Sequence, residues 1–112
     1  MRSIAIIVTF ACILAYIDQA QGECCRKSLT VSYSVDGGKC NDVPGGRNVN
    51  QGCTITICAH GKARRGTYCG YGSCNIIGCG CKDGCIEGQW LQSFYNINRD
   101  HSIQVANMKW NL

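Results

Sequence analysis

The chain has 112 residues, 11 cysteines and a formal net charge of +4. A chain of this length forms one domain and is too small for a doubly wound dinucleotide-binding fold or a (β/α)8 barrel. The basic residues form no long runs, so the charge indicates solubility and gives no reason to expect a nucleic acid partner.

The first 22 residues predict a secretory signal peptide. Arg2 precedes a nearly unbroken apolar run from Ile4 to Ile17, and Ala20-Gln21-Gly22 supplies small residues at the −3 and −1 positions of a cleavage site. The run is shorter than the roughly 20 residues that a membrane-spanning helix needs. We therefore expect a signal peptide at residues 1–22, one domain at residues 23–112, secretion, and no membrane insertion once the signal peptide is removed.

Cleavage would remove Cys12 and leave an even number of cysteines, which form disulfides in an oxidising compartment. We expect five disulfides. Their pairing stays open, although adjacent cysteines rarely bridge each other. Cys24 and Cys25 should therefore have different partners, and so should Cys79 and Cys81. The ten cysteines are Cys24, Cys25, Cys40, Cys53, Cys58, Cys69, Cys74, Cys79, Cys81 and Cys85.

The alternative use of these cysteines is a zinc site between Cys69 and Cys85. Structural zinc sites usually have two Cys-x2–4-Cys knuckles separated by a spacer, and this spacing shows no such layout. His60 and His101 lie apart from the cluster. We therefore expect no metal and no other cofactor.

The first half of the mature chain predicts two strands. Apolar residues alternate with Thr and Ser from Leu29 to Val35, which is the period of a half-buried strand. Residues 53–58 place Cys53, Ile55 and Ile57 on one face, and this segment is the candidate central strand. Residues 41–52 are rich in Gly, Asn and Asp and predict a loop.

Beyond a turn at residues 60–62, residues 63–68 predict a returning partner strand. Residues 66–88 then contain seven glycines and five cysteines. Such a segment has too few apolar side chains for a conventional core, so cross-links and turns must shape it.

Helical spacing appears after Gly88. Trp90, Leu91, Phe94 and Tyr95, continued by Asn98, form one face of a helix of about three turns. Residues 103–110 alternate loosely and predict a final strand. The predicted fold is α+β: a small disulfide-rich domain in which one α-helix covers a short antiparallel β-sheet.

Few residues suggest catalysis. Asp83 and Glu87 have the side chains of a glycosidase pair, but both stand beside turn glycines, where solvated carboxylates are common. Neither His60 nor His101 has a nucleophile signature nearby. We therefore expect that the protein is not an enzyme.

Five residues are candidates for binding a partner. Lys62, Arg64 and Arg65 are the densest basic cluster, which suits an acidic receptor surface or a glycan, or is an ordinary solvated turn. Tyr68 and Tyr71 bracket Cys69-Gly70 and either anchor an interface or pack over the disulfides.

Several segments together resemble the Diedel family of small secreted insect proteins, which also resemble proteins carried by insect DNA viruses. The match covers nearly all of the mature chain and is most specific in the cysteine spacing. It rests on Glu23-Cys24-Cys25, on GCTITICAHG at residues 52–61, on YCGYGSCNIIGCGC at residues 68–81, on Gly84-Cys85, and on Gly88, Trp90 and Phe94.

The resemblance implies a sheet covered by a helix, held by five disulfides, with no catalytic residues to carry over. It also implies a cytokine-like immune modulator in the haemolymph that damps an NF-κB-type (immune-deficiency) response. The expected partner is an extracellular or cell-surface protein, and the expected state is a monomer. The alternative is a host-defence effector, either an antimicrobial protein or a protease inhibitor with residues 62–68 as its reactive loop.

Overall fold

The computed structural model describes residues 23–112, and the predicted signal peptide lies outside them. Within this range the chain forms four strands, a short 3-10 helix and one α-helix. The strands make one antiparallel sheet in the order β2-β3-β1-β4, which confirms the predicted fold class. The elements are β1 (Ser28–Asp36), the 3-10 helix (Cys40–Asp42), β2 (Arg47–Val49), β3 (Gly52–Ile57), α1 (Leu91–Ile97) and β4 (Ser102–Asn111).

The two inner strands, β1 and β3, bury the alternating apolar residues that the sequence singled out. Their register pairs Leu29 with Ile57 and Val31 with Ile55, so these side chains share one face of the sheet. All four are at most 3% exposed. The prediction that residues 53–58 contain an inner strand is confirmed, because β3 pairs with both β1 and β2.

Helix α1 closes the core over this face. Phe94 is fully buried, and its ring lies edge-on to that of Tyr33, with centroids 5.7 Å apart. The helix has seven residues, about two turns, so the prediction of three turns was too long. Trp90 has a φ of +53°, which is incompatible with a right-handed helix, and α1 therefore begins at Leu91.

Two other predictions need correction. Residues 41–52 are more than a loop, because they complete the 3-10 helix and include β2, which pairs with β3. Residues 63–68 do not form a partner strand, since only Ala63 pairs, in a single bridge to Ile57. Gly66 has a φ of +72° and turns the chain away from the sheet.

Strand β4 confirms the predicted final strand and explains its loose alternation. The register with β1 shifts between Ser32, which faces Asn107, and Tyr33, which faces Val105. Ala106 is thus the extra residue of a bulge, and the pattern changes phase there. Residues on both sides of the bulge therefore share the core face of the sheet, as the paired positions of Ile103, Val105, Met108 and Trp110 show.

The five predicted disulfides are confirmed, and neighbouring cysteines do have different partners. We call residues 66–88 the cysteine-rich segment, and the four strands with the 3-10 helix and α1 the sheet region. Three of the bonds join the cysteine-rich segment to the rest of the domain, one lies inside that segment, and one lies in the sheet region. The pairs are Cys24–Cys79, Cys25–Cys85, Cys40–Cys53, Cys58–Cys69 and Cys74–Cys81.

Candidate functional site

A groove of about 840 Å³ lies between the sheet region and the cysteine-rich segment. One wall is the turn of residues 60–63, and a second wall is formed by Tyr68 and residues 70–72. Residues 43–45, Ile86 and the end of α1 complete the lining. We call this feature the basic groove, because its charged side chains are all basic.

The wall formed by residues 60–63 is held against α1 by a close backbone contact. Gly61 has a φ of +86°, and a Cβ atom there would collide with the backbone nitrogen of Phe94. The disulfide between Cys58 and Cys69 links the chain just before this wall to the middle of the second one. One glycine and one cross-link therefore help to hold the two walls in place.

Positive charge lines one side of the groove. Lys62 and Arg65 are exposed, His60 is partly buried, and no carboxylate is among the lining residues. Burial, followed by the positive charge of Lys62, lowers the pKa of His60 below its usual value, which favours the neutral imidazole near pH 7. Its Nδ1 accepts a hydrogen bond from the backbone N–H of Lys62 at 3.3 Å.

Aromatic and aliphatic side chains supply the rest of the lining. Tyr71 is 44% exposed, and Tyr68 is partly buried. The hydroxyl of Tyr68 donates a hydrogen bond to the carbonyl oxygen of Ile76 at 2.7 Å, so its ring is held in place. A rigid surface with tyrosines beside positive charges can bind an acidic segment of a protein that also carries apolar side chains.

Four of the five predicted binding residues line this groove, and Arg64 does not. Ala63 pairs with Ile57 on the core face, so the next side chain points to the opposite face of the sheet. There the Nη1 atom of Arg64 donates to the Oγ atom of Ser28 at 3.2 Å. Arg64 therefore makes an internal hydrogen bond outside the groove, and its part in binding stays a prediction.

Sequence reasoning missed several residues of this region. Val43, Pro44, Ile86 and Ile97 line the groove but come from segments that are distant in sequence. Ser28 is fully buried and also accepts a hydrogen bond from the side-chain nitrogen of Asn111 at 3.1 Å. No local pattern marks these residues, because only the folded chain brings them together.

The thiols of the alternative zinc site are all consumed in disulfides. Across residues 23–112, no group of three or more His, Cys, Asp or Glu side chains converges as metal ligands would. Asp83 and Glu87 are both exposed. Within the same range, no helix is both long and apolar enough to cross a membrane.

Three comparisons with known proteins each find a similar family, protein or structure. The family model described as Diedel matches residues 24–99. The chain is 41% identical over 102 residues to Protein Diedel of Drosophila melanogaster, which covers 91% of this chain and 89% of that protein. It is also similar to the crystal structure of the CG11501 protein, with a TM-score of 0.73 and 42% identity, over 79% of this chain and 95% of that one.

Proposed function

The chain belongs to the Diedel family, and from that premise we propose that it is a cytokine-like modulator of insect innate immune signalling. Membership and the five disulfides indicate a secreted, immune-related protein. The proposal adds that it acts in the haemolymph by binding an extracellular or cell-surface protein as a monomer. We also propose that it lowers signalling through an NF-κB-type (immune-deficiency) pathway, without catalysis.

The observation that carries the binding mechanism is the basic groove. Lys62, Arg65 and the partly buried His60 meet no carboxylate among the lining residues, so an acidic segment would supply complementary charge. Tyr68 and Tyr71 offer contact area with little loss of side-chain freedom. We therefore propose that the partner inserts an acidic, partly apolar segment between the two walls.

The position of residues 62–68 counts against a protease inhibitor. Such an inhibitor needs a reactive loop whose backbone is free to bind the protease, yet two of these residues use their backbone inside the protein, and only residues 65–67 form an exposed run. The carbonyl of Lys62 accepts from the N–H of Cys58 at 3.1 Å, and the N–H of Arg64 donates to the carbonyl of Thr56 at 2.8 Å. The modulator is therefore the better supported proposal.

The proposal is tested with protein that an insect cell line secretes after expressing the full chain. The protein is added to cultured insect cells that carry reporters for the main immune pathways. We expect a dose-dependent fall of the NF-κB-type reporter with oxidised protein and none with reduced, alkylated protein. An unchanged reporter at every dose would contradict the proposal.

A charge-reversal pair tests the groove itself. Lys62→Glu with Arg65→Glu should raise the half-maximal concentration about tenfold or more and alter its salt dependence. The matched control is Arg47→Glu with Lys109→Glu, which makes the same change of charge on exposed strand positions outside the groove lining. Equal losses in both pairs would contradict a local role for the groove.

A further inference from the structure

The most exposed apolar side chains of the cysteine-rich segment lie at one turn. Ile76 is 93% exposed and Ile77 is 58% exposed. The turn is closed by a hydrogen bond from the N–H of Gly78 to the carbonyl of Asn75 at 3.0 Å. We call residues 75–78 the isoleucine tip. Branched aliphatic side chains are among the residues most often buried, so two of them at one turn suggest an interaction site.

The isoleucine tip is held rigidly by its own polar groups. The side-chain oxygen of Asn75 accepts hydrogen bonds from the N–H of Ile77 at 3.1 Å and from the N–H of Cys79 at 2.9 Å. The carbonyl oxygen of Ile76 accepts a hydrogen bond from the hydroxyl of Tyr68. These backbone groups need no outside partner, so an occupant would meet the aliphatic side chains.

Disulfides fix the turn on both sides. Cys74 pairs with Cys81, and Cys79 pairs with Cys24, so the two cysteines that flank the tip are both anchored. A rigid convex contact loses little conformational entropy when it enters a pocket. Its shape favours a concave partner surface.

Tyr68 makes the tip continuous with the basic groove. Its ring lines the groove, it packs beside Gly78, where a Cβ atom would lie 2.6 Å from two ring carbons, and its hydroxyl binds the tip. A protein that occupies the groove at this edge therefore comes next to the isoleucines.

The charges of the flanking segments favour a protein over a membrane. Glu23, Arg26 and Lys27 belong to the N-terminal arm, which pairs with residues 78–80, and Lys82 and Asp83 follow the tip. Because the ammonium of Lys27 lies 4.3 Å from the centre of the Trp110 ring, two basic and two acidic side chains remain beside the tip. Interfacial membrane-binding segments instead concentrate Lys and Arg beside their apolar residues.

We propose that the isoleucine tip inserts into an aliphatic socket on the same protein partner whose acidic segment occupies the basic groove. This inference rests on the proposed function, and it adds a second, apolar contact to the electrostatic one. Recognition then requires a partner with an acidic segment next to an apolar pocket.

The test measures saturable binding to the surface of cultured insect cells, in parallel with the immune reporter. The ligand is the fluorescently labelled protein that insect cells secrete after expressing the full chain. Ile76→Asp with Ile77→Asp should raise the half-saturation concentration about tenfold or more. The matched control is Val49→Asp with Leu112→Asp, because these two side chains are 51% and 93% exposed and lie outside the tip, and the change adds the same charge. Near-ultraviolet circular dichroism and disulfide mapping verify that every variant is folded.

A second variant separates the contribution of the tip's rigidity to binding from the contribution of its apolar side chains. Tyr68→Phe keeps the ring in the groove but removes the hydroxyl that holds Ile76. It should weaken binding by less than the double aspartate variant, by a few-fold. Binding of the Ile76→Asp/Ile77→Asp variant equal to that of wild type, or an equal loss in the Val49→Asp/Leu112→Asp control, would overturn the inference.

The remaining outcomes identify other occupants and separate the two proposals. Tip-dependent binding to protein-free vesicles of mixed neutral and anionic lipid, or tip-dependent dimerisation in sedimentation velocity, would overturn a protein socket. Tip-dependent saturable binding that moves no reporter would contradict the proposed function and still support the socket. Absence of any saturable binding by wild type would overturn the inference.

Discussion

The sheet region and the cysteine-rich segment are stabilised by different interactions. The sheet and α1 share a cluster of buried side chains that includes Leu29, Val31, Ile57 and Phe94. The 23 residues from 66 to 88 bury only Cys69, Gly78 and Cys79. Four of the five disulfides have at least one cysteine in this segment, whereas the sheet region contains one within itself.

This difference shows which interactions each part needs. The sheet region gains stability by removing apolar surface from water. The cysteine-rich segment gains little in this way, and cross-links that restrict the unfolded chain must replace it. The same arrangement leaves Ile76, Ile77 and Tyr71 exposed, because the segment does not need them for a core.

The largest expected effect is on the core. Phe94→Ala should lower the free energy of unfolding by about 3–5 kcal/mol, because it removes a fully buried ring and leaves a cavity. Ile76→Ala, in the exposed tip, should change it by less than about 0.5 kcal/mol. Guanidinium denaturation with disulfides intact measures both values. A similar loss in the two variants would refute the contrast.

The next effect concerns one cross-link of the cysteine-rich segment. Cys25→Ala with Cys85→Ala should cost about 2–4 kcal/mol and speed tryptic cleavage after Lys82, which is exposed in that segment. Cys40→Ala with Cys53→Ala is the control in the sheet region. It should leave cleavage after Lys82 slow, and equal cleavage rates in the two variants would argue that the parts are not distinct.

A comparable effect tests the packing of the turn at residues 60–63 against α1. Gly61→Ala adds left-handed backbone strain and a collision with the backbone of α1, which together should cost about 2–5 kcal/mol in thermal or chemical unfolding. Gly66→Ala, with a similar φ but open space around it, should cost only the strain, about 1–2 kcal/mol. Equal costs would show that close packing against α1 is unimportant.

The smallest expected effect is a pH dependence at the groove. Burial and then Lys62 lower the pKa of His60 in the folded protein, so the unfolded chain binds the proton first as the pH falls. The contribution of His60 is therefore fully present above about pH 6.5 and is lost at lower pH. Comparing unfolding of wild type and His60→Gln between pH 8 and 5 isolates this slope. An identical slope in both would contradict the shift.

Local patterns predicted β1, β3, β4 and the existence of α1, because each has a period of apolar residues, which in β4 changes phase at the bulge. They missed β2, since a three-residue strand has no period and depends on its pairing with β3. The length of α1 was also predicted wrongly. The N–H of Trp90 binds the carbonyl of Ala59 at 2.9 Å, and this tertiary contact accompanies the left-handed backbone that delays the helix start.

The disulfide pattern and the candidate site show the same limit. Ten cysteines allow about 945 pairings, and the chain's three-dimensional path selects one. The sequence predicted five binding residues, and four of them line one groove: Lys62, Arg65, Tyr68 and Tyr71. It could not predict that Arg64 lies outside the groove, because that depends on the bridge between Ala63 and Ile57.

The most direct test of the contrast between the two parts is hydrogen exchange of the wild-type protein, followed by mass spectrometry at increasing concentrations of a phosphine reductant. We expect amides of residues 66–88 to lose protection first, while β1, β3 and α1 stay protected at reductant concentrations that already break the four bonds of that segment. Simultaneous loss of protection in all these segments would contradict the claim that packing holds one part and cross-links hold the other.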